Sequence, residues 1–288
     1  MTIPERRSTA ARLLLLTALA MTAFAANSLL CRVALRDTTI DAATFTTVRL
    51  IAGALTLWLI VALRSGRSAV AGSWYSALAL FAYAIAFSWA YRSLSAAAGA
   101  LLLFGSVQAT MIAYGLWSGE RLRGRQWTGL ALALGGLAGL MLPGLSAPPL
   151  AGALLMIAAG MAWGMYSLRG KGTGDPAAAT AGNFLRTVPI TLTLSLILPG
   201  DARWDEAGVA YAVVSGAVAS GIGYAIWFAA LPGLKATSAA TVQLSVPVIA
   251  AIGGILFLGE SLTLRLVLAS FTILGGIALV ITGSSRQT

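Results

Sequence analysis

Aromatic and neutral polar residues recur in this chain at helical spacing within otherwise apolar stretches. Tyr83, Phe87 and Tyr91 fall four apart, so on a helix they share one face. Phe104 and Gln108 repeat that spacing, Trp163 precedes Tyr166, and Tyr224, Trp227 and Phe228 form another group. Gln243 stands four residues before Pro247. Such a set suits recognition rather than bond-making, because rings enclose an apolar body while a few amides orient it. Catalysis needs a convergent acid, base, nucleophile or metal cluster. The chain has no histidine, and its acids are Glu5, Asp37, Asp41, Glu120, Asp175, Asp201, Asp205, Glu206 and Glu260. None of these stands in the middle third of an apolar stretch. No catalytic residue, metal site or cofactor is therefore expected, and an intramembrane enzyme finds no support.

The candidates for a substrate cavity are Tyr83, Phe87, Gln108, Trp163, Tyr166, Tyr224 and Gln243. Core packing is the competing account for the aromatics. For the two glutamines, an amide left unpaired in hydrocarbon costs roughly 2–7 kcal/mol, so each must bond across helices or face a wet pathway. Asn27 falls under the same argument. Arg49 and Arg186 stand inside apolar stretches, where a charge is costly and functional by default. Their occurrence at corresponding positions of the two halves favours a structural role as intramembrane charges over substrate contact. Pro247 removes a backbone donor in mid-span and reads as a hinge. Glu120 and Glu260 close their stretches and read as gate residues that pair with a nearby arginine or cap the following helix.

These residues need helices to position them, and the composition says in which solvent. Hydrophobic residues make up 58% of the 288, charged residues 10%, and the mean hydropathy is +0.87. That leaves too little polar surface for a water-facing shell. Windows of roughly 20 apolar residues give about ten spans, near 12–33, 42–63, 73–92, 95–117, 126–142, 150–169, 177–198, 207–230, 236–258 and 263–283. The chain is thus expected to be an all-α integral membrane protein. Its formal charge of +10 suggests nucleic acid at first sight, but the basic residues follow the membrane instead. With the N-terminus inside, Arg6, Arg7, Arg12, Arg64, Arg67, Arg121, Arg123, Arg125, Arg169, Lys171, Lys235 and Arg286 are cytoplasmic. Only Arg32, Arg36, Arg92, Arg203 and Arg265 fall outside, which is the positive-inside bias. Both termini are expected in the cytoplasm, and no nucleic-acid partner is expected. Trp74, Trp117, Trp127 and Trp204 stand near span boundaries, as an interfacial belt requires. The lone cysteine, Cys31, excludes an intramolecular disulfide. The basic residues before Leu13–Leu16 and the Ala23-Phe24-Ala25 triplet mimic a cleavable signal. The apolar run continues through Leu30, however, and is expected to be retained as the first span.

The chain also repeats itself. A shift of 140 lays Leu94, Gly119, Glu120, Leu122, Arg125, Gly135, Gly136 and Ala138 on Leu234, Gly259, Glu260, Leu262, Arg265, Gly275, Gly276 and Ala278. A shift of 137 lays Ala25, Arg32 and Arg49 on Ala162, Arg169 and Arg186. The expected units are residues 1–146 and 147–288. Five spans per unit invert the second copy, and inverted repeats give transporters two near-equivalent access states. The paired glycines at 135–136 and 275–276, with Gly139, permit close helix contact, either within the chain or between subunits.

With those landmarks in view, the chain resembles the ten-span branch of the drug/metabolite transporter superfamily, with two EamA-type repeats. The Gly119-Glu120 and Gly259-Glu260 pairs, the Gln243/Pro247/Gly253-Gly254 pattern and the arginines at 49 and 186 carry the resemblance. Val107 departs from it, standing where the second half has Pro247. The resemblance implies an inner-membrane carrier, closest in character to bacterial aromatic and neutral amino-acid exporters, working by alternating access. Its expected partners are a small-molecule substrate and the lipid bilayer, with the carrier a monomer or weak homodimer. The alternative is a proton-coupled multidrug transporter for hydrophobic cations, which usually needs a buried carboxylate. A membrane scaffold without transport is the third reading.

Overall fold

The computed structural model describes residues 3–65, 71–119, 121–144, 147–170, 174–197, 203–234, 239 and 242–284. Among them, the helices are α1 (Ile3–Asp37), α2 (Ala42–Ser65), α3 (Trp74–Tyr91), α4 (Ala96–Trp117) and α5 (Gly124–Met141) in the first half. The second half holds α6 (Leu150–Gly170), α7 (Pro176–Ile197), α8 (Glu206–Gly233), α9 (Ser245–Leu258) and α10 (Leu264–Ser284). No strand occurs among the described residues. The helices α1, α2, α4, α6, α8 and α10 are each long and apolar enough to cross a membrane.

Short polar residues mark where these helices start. The Ser73 and Ser95 hydroxyls accept from the third backbone N–H beyond them, at Ser76 and Ala98, which satisfies donors that no preceding turn can reach. Asp41 does the same for Ala43 and Thr44 at the head of α2 and also accepts from the Arg203 N–H. Burial pushes its carboxyl up, but these bonds outweigh burial and hold it below its ordinary value. Gly259 ends α9 at φ +62°, with the Glu260 N–H returning to the Gly254 carbonyl at 3.0 Å. That left-handed turn is cheap only for glycine. It aims the Glu260 side chain back at the bundle.

The packing is that of two inverted halves. α2 lies on α7, α4 on α9, and α5 on α10. α3 packs against α6 and α7 as α8 packs against α1 and α2, and α4 meets α6 as α9 meets α1. Exchanging the halves therefore reproduces the pattern. Glycine makes the closest of these approaches. A Cβ on Gly129 would lie 2.5 Å from the Gly276 carbonyl oxygen, and one on Gly276 would lie 2.5 Å from that of Gly129. Gly136 meets Ile273 and Thr272, whereas Gly135, Gly139 and Gly275 face open space. Only one member of each glycine pair thus serves the internal contact, because adjacent residues point about 100° apart around a helix.

The ninth span is interrupted. Residues 239, 242 and 243 are helical, a turn falls at Leu244, and α9 runs on from Ser245. Pro247 lacks the N–H that would bond the Gln243 carbonyl one turn back, so the interruption sits where the proline removes that bond. Pro189 is another proline inside a helix, in α7. Trp74, Trp117, Trp127 and Trp204 are all exposed, at or beside helix ends.

Candidate functional site

Where α1, α3, α4, α6 and α8 converge with the residues leading into α9, the bundle encloses a cavity. Its walls are Phe24, Asn27 and Ser28 of α1, Tyr83 and Phe87 of α3, Leu103 and Phe104 of α4, Trp163 of α6, Ala219 and Tyr224 of α8, and Gln243. Both halves contribute. The cavity volume is about 30 Å³, room for a water or two, so the cavity is narrow in this conformation.

The wall is a continuous aromatic cluster. Trp163 stacks on Tyr224, with ring centroids 5.4 Å apart and planes 18° from parallel. It also meets Tyr83 at 4.9 Å and Tyr166 at 5.3 Å, while Phe24 tilts against Tyr224 at 5.6 Å. On α3, the four-residue spacing brings Tyr83 to Phe87 at 5.3 Å and Phe87 edge-on to Tyr91 at 4.7 Å. α8 reaches the cavity through a π-helical stretch, Ser215–Ile222. This wider winding changes which residues face inward. It turns Ser215 toward α1, where its hydroxyl donates to Asn27 Oδ1 at 2.6 Å. It also brings Gly216 so near α2 that a Cβ would lie 2.1 Å from the Arg49 carbonyl oxygen.

Polar groups at the wall are few and linked. The Asn27 amide donates to the Tyr83 hydroxyl at 3.4 Å, and Arg49 Nη2 donates to the same oxygen at 3.2 Å. Arg49 is 2% exposed, its guanidinium carbon 4.8 Å from the Phe87 centroid and 5.5 Å from that of Tyr83. Gln243 donates to the Ala239 carbonyl at 3.3 Å, and its amide oxygen, an acceptor, has no partner among the described residues. No carboxylate lines the cavity among the described residues.

Of the expected cavity residues, Tyr83, Phe87, Trp163, Tyr224 and Gln243 come together at the wall. Gln108 and Tyr166 do not. Gln108 is buried outside the lining, and Tyr166 stands behind Trp163, bonded to Thr180 and Asn183. Helical spacing placed both on an inward face without saying which side of that face meets the space. Sequence reasoning missed Phe24, Ser28, Leu103 and Ala219. Phe24 and Asn27 are three apart on α1, a signal that could have been read, whereas Ala219 depends on the π winding.

The remaining candidates sit elsewhere. Glu260 pairs with Arg32 at 3.1 Å and accepts from the Ala96 N–H at 2.8 Å, so it caps α4 rather than the helix that follows it. Arg32 also donates to the Tyr91 and Arg92 carbonyls. One carboxylate and one guanidinium thus tie together the adjacent ends of α1, α3, α4 and α9. Glu120 lies outside the described residues. Arg186, unlike Arg49, reaches the Ala71 carbonyl in the α2–α3 connection at 2.7 Å and the Gly182 carbonyl at 2.9 Å.

Comparison with known proteins is consistent with this architecture. The EamA-like transporter family matches twice, at residues 11–142 and 150–282. An uncharacterised protein of Pseudomonas aeruginosa is 57% identical over 97% of this chain and 96% of its own length. The threonine/homoserine exporter RhtA of Salmonella typhimurium is 33% identical over 121 residues, 40% of this chain and 39% of the exporter. A solved crystal structure, 18% identical, superposes with a TM-score of 0.65 over 92% of this chain and 96% of its own, which is a likeness of fold.

Proposed function

Since this chain belongs to the EamA-like transporter family and is a multi-pass membrane protein, we propose that it exports neutral amino acids and related small metabolites. The preferred cargo carries an aromatic or bulky hydrophobic side chain. The carrier lies in the bacterial inner membrane with both termini cytoplasmic, and it works by alternating access. The observation that carries this reading is the cavity itself. It lies between the inverted halves, is walled by stacked rings, and among the described residues its polar groups are neutral amides and hydroxyls. Rings accept an apolar body, and the amides of Asn27 and Gln243 suit the polar end of an amphiphile. The partial match to a threonine/homoserine exporter supports amino acids as the class, and the size and number of rings support the larger members.

Export of hydrophobic cations is the competing reading, and the ring cluster favours it, since cations bind aromatic faces. The nearby Arg49 guanidinium counts against it by repulsion, and the described lining supplies no carboxylate to exchange a proton for a cation. Efflux from proteoliposomes separates the two. Saturable efflux of labelled phenylalanine or tryptophan without a proton gradient is expected. Flux of a hydrophobic cation alone, and only under a gradient, would replace this reading with drug/proton antiport.

A further inference from the structure

Among the described residues, nothing balances the charge of Arg49. It is 2% exposed, and its Nε and Nη1 have no hydrogen-bond partner there. Nη2 donates to the Tyr83 hydroxyl. The ionisable groups around it are Cys31, Tyr83 and Tyr224, none of them an acid at neutral pH. The ion pairs among the described residues, Arg32–Glu260 and Arg36–Asp37, lie at the far end of α1 and do not include it. A guanidinium stays protonated in proteins, and burying it unpaired is costly unless a counter-charge arrives.

Its neighbours are the cavity wall. The guanidinium lies against Phe87 and Tyr83, and the oxygen it holds is shared with Asn27, which also lines the space. Arginine offers a planar fork that fits a carboxylate through two parallel bonds. Two free donors beside an aromatic cavity are a site waiting for an anion. We infer that Arg49 is the docking residue for the substrate's carboxylate, so the cargo is an amphiphile with a free carboxylate head and an apolar body. The inference rests on the export reading above and narrows it. The carboxylate is recognised by charge, whereas the ring cluster takes the body by shape. In the narrow conformation described here the space is too small for such a guest, so a shift of the Tyr83 and Phe87 side chains accompanies its entry.

The test compares head groups on one body, using the intact carrier. Phenylalanine, 3-phenylpropionate and phenylalaninamide are offered as competitors of labelled phenylalanine uptake in counterflow. They are also offered as stabilisers of the detergent-solubilised protein in thermal melts. Wild type is expected to bind phenylalanine and phenylpropionate and to reject the amide by roughly 10- to 100-fold. Arg49→Gln should raise the KM for phenylalanine by a similar factor and erase the preference for acid over amide. Arg49→Lys should restore part of that preference, because it returns the charge without the fork. A wild-type carrier that binds acid and amide alike overturns the proposal with no variant needed. So does an Arg49→Gln protein that loses flux yet keeps the preference, which marks a purely structural arginine. If phenylalanine is not moved at all, the melts still decide. Stabilisation by phenylpropionate that vanishes in Arg49→Gln upholds the carboxylate site while the amino-acid reading falls, and no stabilisation by either acid overturns both.

Discussion

Replacing Glu260 with glutamine should unlatch one mouth of the carrier. Glu260 Oε1 meets Arg32 Nε at 3.1 Å and Oε2 accepts from the Ala96 N–H at 2.8 Å, with side chains 10% and 14% exposed for Glu260 and Arg32. Arg32 extends the knot to the Tyr91 carbonyl at 2.9 Å. Exposed ion pairs contribute about 0–1 kcal/mol, and breaking a fully buried pair costs about 3–5 kcal/mol. A pair this sheltered falls between, at about 2 kcal/mol. Glutamine keeps the shape and the bond to Ala96 but loses the charge. The closed arrangement should therefore lose about 2 kcal/mol against any open one, a shift of roughly 30-fold. Cys31 provides the readout. It is the chain's one cysteine, immediately precedes Arg32, and is 0% exposed in the latched state. Labelling by a membrane-impermeant maleimide requires opening, so its rate tracks the open population when reclosing is fast. Glu260→Gln should raise that rate roughly 30-fold, and Arg32→Gln should do the same without adding to it. An unchanged rate in a variant with wild-type melting behaviour would show that the pair ornaments the mouth without holding it.

Three further outcomes follow from the same geometry. Trp163→Ala removes a ring in contact with Tyr83, Tyr166 and Tyr224, each contact being worth about 0.5–1.5 kcal/mol. It and Gln243→Ala should lower flux in proteoliposomes, Trp163→Ala also lowering the melting temperature by several degrees; unchanged kinetics in both folded variants would remove them from the route. Gly276→Ala puts a methyl 2.5 Å from the Gly129 carbonyl and should destabilise the α5–α10 contact by about 1–3 kcal/mol, whereas Gly275→Ala faces open space and should melt like wild type. Equal melts for the two would contradict the packing. Finally, Glu120 stands 140 residues before Glu260, and Arg169, which here lies over the Tyr75 ring at 5.3 Å, stands 137 after Arg32. Glu120→Gln should then weaken the opposite mouth and slow Cys31 labelling; a faster rate would break the assumed equivalence of the two ends.

The architecture was legible because lipid leaves few alternatives. A chain in hydrocarbon must satisfy every backbone donor internally, so about twenty apolar residues and a few capping serines and aspartates suffice to place a helix. Inversion was legible too, since the spans per half are odd and the repeat is visible at Gly119-Glu120 and Gly259-Glu260. The site was legible only as far as helical spacing reaches. Spacing put Tyr83, Phe87 and Trp163 on inward faces, and they meet at the wall. It put Gln108 and Tyr166 there as well, yet Gln108, one turn along α4 from Phe104, and Tyr166, packed on Trp163, lie outside the lining, because spacing does not say how far along a helix the space extends. The π winding of Ser215–Ile222 has no sequence pattern of its own and was invisible, and with it the place of Ala219. The turn at Leu244 has a sequence signal, since Pro247 lacks the N–H that would bond the Gln243 carbonyl one turn back.

The two arginines show where repeat symmetry ends. Arg49 and Arg186 correspond under the 137-residue shift, yet one is sealed among rings with Nε and Nη1 unpartnered among the described residues, and the other sends Nη1 to the Ala71 and Gly182 carbonyls. The glutamates that follow Gly119 and Gly259 have been kept as a pair, as have Arg32 and Arg169. A two-state carrier gives a reason for the difference. If each mouth closes in one of the two states, each half needs its own latch, and the sequence keeps the same residue types for both. A guest in a cavity between the halves has no two-fold symmetry of its own. It can present its anionic head to one half and its body to the other, never both to both. Recognition therefore breaks the symmetry at the cavity, while the residue types at the mouths recur in both halves. On that argument an arginine shared by both repeats but divergent in surroundings marks the half that receives the head group, and the proposed role of Arg49 assigns that to the first half.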